Sequence, residues 1–479
     1  MIKSVVIPGA PSVMPTTEQT AGRDQSLVLG HAAALAIVPF PRNAERVPIR
    51  LPQLHFKTIL IVALLPRLAV VYYVLSHYPR GWLFTKGMEL GILGRLLALG
   101  QPFNSPFGGS TGPTAFIAPG YPFVISVIFR FFGILTQQST VAILLLHVAF
   151  SVATVAMIVH IARVSLGVRV ANLAGFGWAL SPALVWMPII FWDTSASTML
   201  LTAMVAMALR LARRPSLLLW CGAGLASGLT MLINPSLFVA LFAILGWAVT
   251  GGWHIFVRRG RCAALLSPRC PRYAPLAALA IMLAVFLPWP VRNLRVMHAF
   301  IPFRSNLGYE LWNGNQHGGT GRFVETLHPM LSKVQYGEYA AMGEVAYMRD
   351  RAERGKASIR RYPLEFLRRT AWRIPAFWLG WAQGGVSNSG LVTLHAAGVS
   401  CLGMVGLLLL FKRKRQLAWL FLLPLLLFPL PYYVTHPDFR FRLLVDPILT
   451  VLAAYALVAA WRFLGRRRSS AVHAPHVWR

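Results

Sequence analysis

Long apolar stretches alternate with short polar segments along most of the chain. The apolar stretches run for about 17–22 residues, which is the length that an α-helix needs to cross a membrane. They predict ten spans, at roughly residues 56–77, 139–161, 170–192, 194–211, 217–235, 236–251, 274–291, 390–411, 416–434 and 443–464. The sequence therefore predicts an all-α, polytopic integral membrane protein.

Composition supports this prediction. The chain is 56% hydrophobic and only 13% charged, whereas soluble proteins carry roughly 25% charged residues. The net charge of +32 does not indicate nucleic-acid binding, because the basic clusters are short and border apolar spans. The four cysteines imply neither a disulfide framework nor a zinc site.

The basic residues predict how the spans are oriented. Five segments carry Arg or Lys and no acidic residue, and the positive-inside rule places them in the cytoplasm with both termini. These basic residues are Arg163, Arg169, Arg210, Arg213, Arg214, Arg258, Arg259, Arg261, Arg269, Arg272, 412–415 and 466–468. Outside the N-terminal tail, the acidic residues fall on or near the opposite side.

This orientation divides the chain into segments. Residues 1–55 are predicted to be a disordered cytoplasmic tail, and residues 56–291 an N-terminal transmembrane module whose first external loop is 78–138. Residues 292–389 form a large external loop, 390–465 the C-terminal transmembrane helices, and 466–479 a basic cytoplasmic tail. The stretch 115–135, "AFIAPGYPFVISVIFRFFGIL", is apolar enough to span. A span there would reverse every later loop, so it is predicted to be a juxtamembrane or re-entrant helix on the outer face.

Two isolated carboxylates are candidates for catalysis. Glu89 is the only acidic residue of the first external loop, on a predicted short helix that ends at Gly100. Asp193 closes the third predicted span in "FWDTSAS". An ionisable group at a membrane boundary is costly and indicates function. The alternatives are a solvated helix face for Glu89 and an N-cap for Asp193.

Arginines on the same predicted side suggest an anion site. Arg292 lies in "PWPVRN", and Arg440 and Arg442 lie with His436 in "THPDFRFR". Guanidinium groups bind phosphate with fork geometry, although an arginine at a helix end also snorkels to headgroups or pairs with a neighbouring acid such as Asp438.

The external segment offers candidate sugar contacts. Trp312 and Asn315 lie in "FRSNLGYELWNGNQHGGTG", and Tyr121 lies in "APGYP". His317 and His328 do not have metal-ligand spacing, so the sequence predicts no metal site and no certain cofactor, and dependence on a divalent metal stays open.

Several stretches together resemble a known family. They are "ELGILGRLLALGQPF", "TGPTAFIAPGYPFVISVIFRFFG", "SPALVWMPIIFWD", "PWPVRNL", "NLGYELWNGNQ" and "HPDFRFRLLVDPILTVLAAYAL". In order and spacing they resemble the GT-C lipid-linked-sugar glycosyltransferases, specifically bacterial relatives of protein O-mannosyltransferases and aminoarabinose transferases, over about residues 57–465. Many relatives carry an Asp where this chain has Thr85, and Glu89 follows one helical turn later.

The resemblance implies a polyprenyl-phosphate-sugar donor, an external active site and a first-loop acid as the catalytic residue. With these residues it predicts an inverting transfer to a hydroxyl or amine, with Glu89 as general base and Asp193 as partner. The expected location is a bacterial inner membrane, with the site facing the periplasm or outside. The acceptor, which could be a lipid, a protein or a cell-wall polymer, and the sugar stay open. The alternatives are a transporter or flippase of an anionic lipid-linked substrate, with Arg67 on its pathway, and a structural scaffold.

Overall fold

The structure, a computed structural model, describes residues 56–85, 87–250, 270–380 and 390–472. The predicted tail 1–55, most of the basic loop that contains Arg258, and the end of the chain after residue 472 lie outside these ranges. Nothing in the structure tests the predicted domain boundaries, which stay predictions.

The regular secondary structure of the described residues is helical, and no β-strand occurs among them beyond an isolated bridge between Asn104 and Pro113. The prediction of an all-α fold is confirmed. The α-helices are α1 (Phe56–His77), α2 (Met88–Ala98), α3 (Gly120–Phe132), α4 (Gln137–Ser165), α5 (Val168–Leu180), α6 (Pro182–Val185), α7 (Thr194–Arg213), α8 (Leu217–Ile233), α9 (Phe238–Val249), α10 (Ala274–Phe286), α11 (Pro288–Met297), α12 (Leu307–Gly314), α13 (Lys333–Met342), α14 (Glu344–Arg361), α15 (Pro363–Leu379), α16 (Gly390–Leu427), α17 (Leu430–Val434), α18 (Phe439–Arg442) and α19 (Asp446–Val472).

Six stretches of the described chain are long and apolar enough to cross a membrane, or seven if one bent helix pair is a single span. The six are Phe56–His77, Gln137–Ser165, Thr194–Arg213, Ala274–Met297, Val392–Val434 and Asp446–Gly465, and the pair Val168–Leu180 and Pro182–Ile189 bends by 65°. The chain is thus a multi-pass membrane protein, but the predicted count of ten spans is not confirmed.

Two helix breaks explain part of the difference between the ten predicted spans and the six or seven that the structure describes. The predicted split at Asn234 and Pro235 is present: α8 ends at Ile233 and α9 begins at Phe238. Each of these two helices is shorter than a full span. The predicted spans 390–411 and 416–434 fall in one 43-residue stretch, where the backbone leaves helical geometry at Lys414.

The apolar stretch 115–135 forms a short helix. Its helix α3 has 13 residues, which gives about 20 Å at the rise of an α-helix, less than the roughly 30 Å of a bilayer core. Gly133 has a φ of +87° and ends α3, because glycine adopts left-handed backbone geometry at low cost. This length fits the predicted juxtamembrane placement.

Basic side chains join several helix ends at one face of the bundle. Lys414 donates from Nζ to the Ser165 carbonyl at 2.6 Å, and Arg213 donates to the Val164 carbonyl. The end of α4, the end of α7 and the break in α16 therefore meet. Because α4 has 29 residues, its other end, which leads to α3 and α2, is about 43 Å away.

A buried arginine closes the bend between α5 and α6. Arg67 is fully buried, and its Nε donates to Ser151 Oγ at 2.7 Å. Its Nη atoms donate to four carbonyls, those of Ala63, Trp178, Ala179 and Leu184, at 2.7–3.3 Å. The break at Pro182 frees carbonyls that would otherwise be unsatisfied in the apolar interior, and Arg67 supplies their donors.

Candidate functional site

Glu89 lies in the first turn of α2, where the helix dipole favours a negative charge. The predicted glycine at the other end is confirmed: Gly100 has a φ of +73° and donates its N–H to the Leu97 carbonyl at 3.1 Å. The Glu89 side chain does not face bulk solvent, since its residue is only 7% exposed. The alternative of a solvated helix face is therefore wrong.

A histidine from the large external segment holds Glu89. His328 Nε2 lies 3.1 Å from Glu89 Oε1. The other ring nitrogen, Nδ1, accepts the N–H of Met330 at 3.2 Å. A neutral imidazole has one donor and one acceptor, so Nε2 carries the proton and donates it to Glu89. The backbone thus fixes the tautomer that orients the carboxylate.

Four aromatic rings enclose His328. The rings of Phe107, Phe116, Tyr309 and Phe323 have centroids 5.4–5.9 Å from the imidazole. This enclosure limits the ring's rotation and excludes water from one side of the Glu89–His328 pair.

The pKa of Glu89 reflects this environment. Burial raises the pKa of the carboxyl, but the hydrogen bond from His328, together with the charge of Arg440, holds it below its usual value. Glu89 is therefore ionised at neutral pH and ready to accept a proton.

A second acid–histidine pair lies close by. His436 Nδ1 and Glu310 Oε2 are 3.5 Å apart, and within the described residues neither atom has a hydrogen-bond partner. Burial raises the pKa of Glu310, while the charges of Arg304 and Arg440 oppose that rise. Two unpartnered buried polar atoms are unusual in a folded protein, and they are what a polar ligand would satisfy.

Arg304 and Arg440 supply positive charge at this point. The Arg440 guanidinium lies 4.2 Å from the Trp192 ring centroid and 4.9 Å from that of Phe441, and its Nε contacts Asp438 at 3.4 Å. Arg304 Nε donates to the Phe116 carbonyl at 3.0 Å. Neither arginine makes a hydrogen bond through its Nη atoms to any residue that the structure describes, so both forks are available to an anion.

Acid should destabilise the protein through His436. Burial, together with the charges of Arg440 and Arg373, lowers the pKa of His436 to about 3. Below pH ~6.5 the unfolded chain takes up this proton and the folded protein does not, so stability is lost as the pH falls, by up to about 1.4 kcal/mol per pH unit. Thermal unfolding in detergent at several pH values should show a smaller acid loss for His436→Gln. Equal losses of stability in the two proteins would contradict this assignment. The raised pKa of Glu310 stabilises the folded state as the pH falls, but Glu310 is present in both proteins.

Asp193 occupies the position before α7, but its side chain makes no cap hydrogen bond to the helix backbone. Instead Oδ2 accepts from Ser197 Oγ at 2.5 Å and from Asn234 Nδ2 at 2.8 Å. The carboxylate thereby ties α7 to the break between α8 and α9. It follows directly after Trp192, on which Arg440 stacks, so it borders the site.

Arg442 and Arg292 are engaged by the protein itself. Arg442 is fully buried: Nη1 bonds Asp446 at 2.8 Å, Nη2 bonds the Ala396 carbonyl and Ser400, and Nε bonds the Trp378 carbonyl. Arg292 donates to the carbonyls of Thr114 and Phe103 at 2.7 and 2.6 Å, which anchors the first external loop. These contacts favour structural roles for Arg442 and Arg292, and the phosphate contacts predicted for both stay predictions.

The other predicted binding residues also lie in internal contacts. The Tyr121 hydroxyl bonds His147, whose Nδ1 donates to the Pro188 carbonyl at 2.7 Å. Asn315 is 1% exposed and bonds the carbonyls of Leu311 and Val434, each at 2.8 Å. Trp312 packs under the Arg351 guanidinium at 4.8 Å. The structure thus brings together Glu89, His436 and Arg440, whereas the contacts of Tyr121, Asn315 and Trp312 are with other residues.

Three members of the cluster were not predicted from the sequence as site residues: Arg304, Glu310 and His328. Arg304 and Glu310 stand in the quoted polar stretch, and the sequence presents His328 only as a possible metal ligand without the required spacing. In the described ranges, no three or more His, Cys, Asp or Glu side chains are grouped to hold a metal ion.

Residues 118–291 match the family model for dolichyl-phosphate-mannose-protein mannosyltransferases. Over these residues the match confirms the resemblance predicted from the sequence. It includes Asp193 and ends before Arg304, and Glu89 precedes it. A comparison with curated protein sequences finds no match.

Among solved structures, the chain is similar to the oligosaccharyltransferase of Archaeoglobus fulgidus. The apo form is 13% identical, with a TM-score of 0.48 and coverage of 88% of this chain and 52% of that chain. A form tethered to an acceptor peptide with the NVT sequon is 15% identical, with a TM-score of 0.47 and the same coverage. A complex with an inhibitory peptide and a dolichol-phosphate is 12% identical, with a TM-score of 0.43 and again the same coverage. This chain spans about half the length of these proteins.

Proposed function

We propose that this chain, whose residues 118–291 match the family model for dolichyl-phosphate-mannose-protein mannosyltransferases, transfers a sugar from a polyprenyl-phosphate donor to an acceptor hydroxyl or amine. The observation that carries the proposal is the cluster around Glu89. A buried carboxylate with a lowered pKa, oriented by His328, lies within the electrostatic reach of Arg440. A base and an anion-binding group are the two parts that this reaction needs.

In this mechanism Glu89 accepts the proton of the acceptor as its oxygen or nitrogen attacks the sugar's anomeric carbon. The bond from that carbon to the phosphate oxygen breaks, and the lipid phosphate leaves with the bonding electrons. One displacement inverts the configuration at the sugar carbon. A phosphate is a good leaving group, which is compatible with a base whose pKa is below that of an ordinary glutamate.

Arg440 and Arg304 stabilise the charge that develops on the leaving phosphate. The Arg440 guanidinium packs on the Trp192 ring, and its Nε contacts Asp438. These contacts orient the guanidinium before the donor binds. His436 and Glu310 then offer a neutral ring nitrogen and a carboxyl oxygen to sugar hydroxyls. Their lack of partners in the described part of the chain supports this assignment.

The contacts of Arg67 weaken the transporter alternative, which places this residue on a pathway through the spans. Ser151 and four carbonyls accept hydrogen bonds from all the donors of its guanidinium. A buried arginine whose donors are all used in this way stabilises the fold and is not available to a transported substrate.

Replacing Arg440 with Ala should lower sugar transfer about tenfold or more, because a charge-assisted contact to phosphate is worth roughly 1.5–3 kcal/mol. Arg440→Lys should recover only part of the activity, since an ammonium lacks the fork. The assay is transfer from a purified polyprenyl-phosphate-sugar, with donor binding measured in parallel. Arg354→Ala is the matched control, because that exposed arginine pairs with Asp350 away from the cluster. Unchanged donor use by Arg440→Ala would remove Arg440 from the mechanism.

The orientation of the site is also open to test. We propose that the basic face around Lys414 is cytoplasmic and that the cluster around Glu89 faces the periplasm or outside. A topology reporter inserted after Lys414 should report a cytoplasmic position, and one inserted after Gln316 an external position. The reverse pattern would contradict the proposed orientation.

The sugar and the acceptor require a chemical experiment. A strain that lacks this protein should accumulate the lipid-linked donor, and mass spectrometry of its lipid extract would identify the sugar. Failure of the purified protein to transfer any lipid-linked sugar, together with measurable lipid movement, would favour the transporter.

A further inference from the structure

Helix α15 has two faces of opposite character. Its buried face carries Arg369, Arg373, Ala376 and Phe377. Its exposed face carries large apolar side chains: Leu364 is 79% exposed, Leu367 is 60% exposed and Ile374 is 41% exposed. Residues three, seven and ten positions apart share one helix face, so these three form a continuous stripe, which we call the outer stripe of α15.

The buried face of α15 is attached to the end of a membrane-crossing stretch. Trp378 Nε1 donates to Tyr433 Oη at 2.7 Å, and Ser400 Oγ donates to the Trp378 carbonyl at 2.6 Å. Tyr433 and Ser400 both belong to the stretch Val392–Val434 that is long and apolar enough to cross the membrane. The C-terminal end of α15 therefore sits at the level of the bilayer.

Basic side chains flank the outer stripe. Arg360 and Arg361 end α14 just before it, and Arg368 lies one residue after Leu367. All three are exposed, and the described residues give Arg368 no hydrogen bond or ion pair. An amphipathic helix with exposed leucines and flanking arginines has the composition of a helix that lies in the membrane interface.

We infer that α15 lies in the lipid headgroup region, with its outer stripe in the acyl chains and Arg360, Arg361 and Arg368 bound to the phosphates of anionic lipids. Charge complementarity favours anionic lipid as the binding partner. The three arginines would contact the lipid phosphates, and the apolar stripe beside them would contact the acyl chains. The inference does not depend on the proposed reaction.

Lipid bound there would stabilise the interior as well. Arg373, on the opposite face of α15, is fully buried and donates to the Gly321 carbonyl at 3.0 Å, Asn315 Oδ1 at 3.1 Å and the Val434 carbonyl at 3.2 Å. These contacts join the external segment to the chain just before His436. Seating the outer stripe in lipid would therefore hold the backbone next to the candidate site.

The first test locates the stripe. In full-length protein with Cys221, Cys262, Cys270 and Cys401 replaced by Ala, a spin label is placed at Leu367→Cys or, as control, at Lys356→Cys on the exposed surface of α14. In lipid nanodiscs we expect the label at 367 to collide with oxygen and be shielded from a water-soluble nickel complex, and the label at 356 to show the reverse. Nickel access at 367 would overturn the inference. Shielding from both reagents would indicate a protein partner or a second copy on the stripe and would also overturn it.

The second test concerns the arginines. Adding phosphatidylglycerol to phosphatidylcholine nanodiscs should raise the unfolding midpoint of the wild type, because a ligand that binds only the folded state stabilises it. Each arginine should contribute roughly fivefold in lipid affinity, so Arg368→Gln should weaken the response and the triple Gln variant should lose it. Arg354→Gln, an exposed arginine on α14, should respond as the wild type does. An equal response in the triple variant, or the same stabilisation by inorganic phosphate, would overturn the assignment.

Discussion

Glu89→Gln should lower sugar transfer by about 10²–10⁴-fold, the typical effect of removing a general base. Glutamine keeps the size of the side chain and can still accept the hydrogen bond from His328 Nε2, so the fold and the aromatic enclosure should persist. Donor binding should also persist, because the proposed phosphate contacts come from Arg304 and Arg440. The measurement is the rate of transfer in a single turnover, with donor binding determined separately.

Two further variants sharpen this test. Glu89→Asp should retain part of the activity, since the carboxylate is withdrawn by one methylene. Asp193→Asn should keep one acceptor oxygen for Ser197 or Asn234, so a structural role predicts a modest loss and a catalytic role a large one. Near-normal transfer by Glu89→Gln together with a large loss in Asp193→Asn would move the base to Asp193.

Arg442→Ala should destabilise the protein by about 3–5 kcal/mol, the range measured when one partner of a buried ion pair is removed. The substitution leaves Asp446 buried without its cation and removes the donors that satisfy the carbonyls of Ala396 and Trp378. The result should be a lower unfolding midpoint in detergent and less folded monomer in gel filtration. Arg440→Ala, two residues earlier, should leave both nearly unchanged.

A double replacement separates the roles of Arg442. Arg442→Met with Asp446→Leu removes both charges together, and such exchanges are often neutral or stabilising. We therefore expect the double variant to transfer sugar and to regain part of the stability lost in Arg442→Ala, because the carbonyls of Ala396 and Trp378 still lack the Arg442 donors. A stable Arg442→Ala protein that cannot use the donor would restore Arg442 as a phosphate contact.

The sequence predicted the fold class well because apolar length and local breakers are properties of contiguous residues. The helix that ends at Gly100 and the split at Asn234 and Pro235 follow from local backbone chemistry, and both are present. The number of spans was less predictable, because a bent pair or a kink such as the one at Lys414 changes the count without changing hydropathy.

The site was predicted only in part, for a physical reason. Glu89 and Arg440 stand out as charges in apolar surroundings, and this isolation is visible in a sequence. The partner of Glu89 is not, because His328 reaches it through the path of the large external segment. The same limit applies to Arg442: its neighbour Arg440 is similar in sequence context, and only the buried ion pair with Asp446 favours a structural role for Arg442.

The hydrogen bonds of Arg67 have a consequence for the order in which the helices enter the membrane. Arg67 lies in α1, whereas the carbonyl of Leu184 that it binds is 117 positions later, and those of Trp178 and Ala179 are similarly distant. When α1 first leaves the ribosome, its cation has no interior partner except the carbonyl of its own helix and, later, Ser151. An unpaired arginine is costly in hydrocarbon, so α1 should remain beside the insertion machinery until the bend at Pro182 has been synthesised. We therefore expect α1 to enter the lipid together with the later helices that bind Arg67.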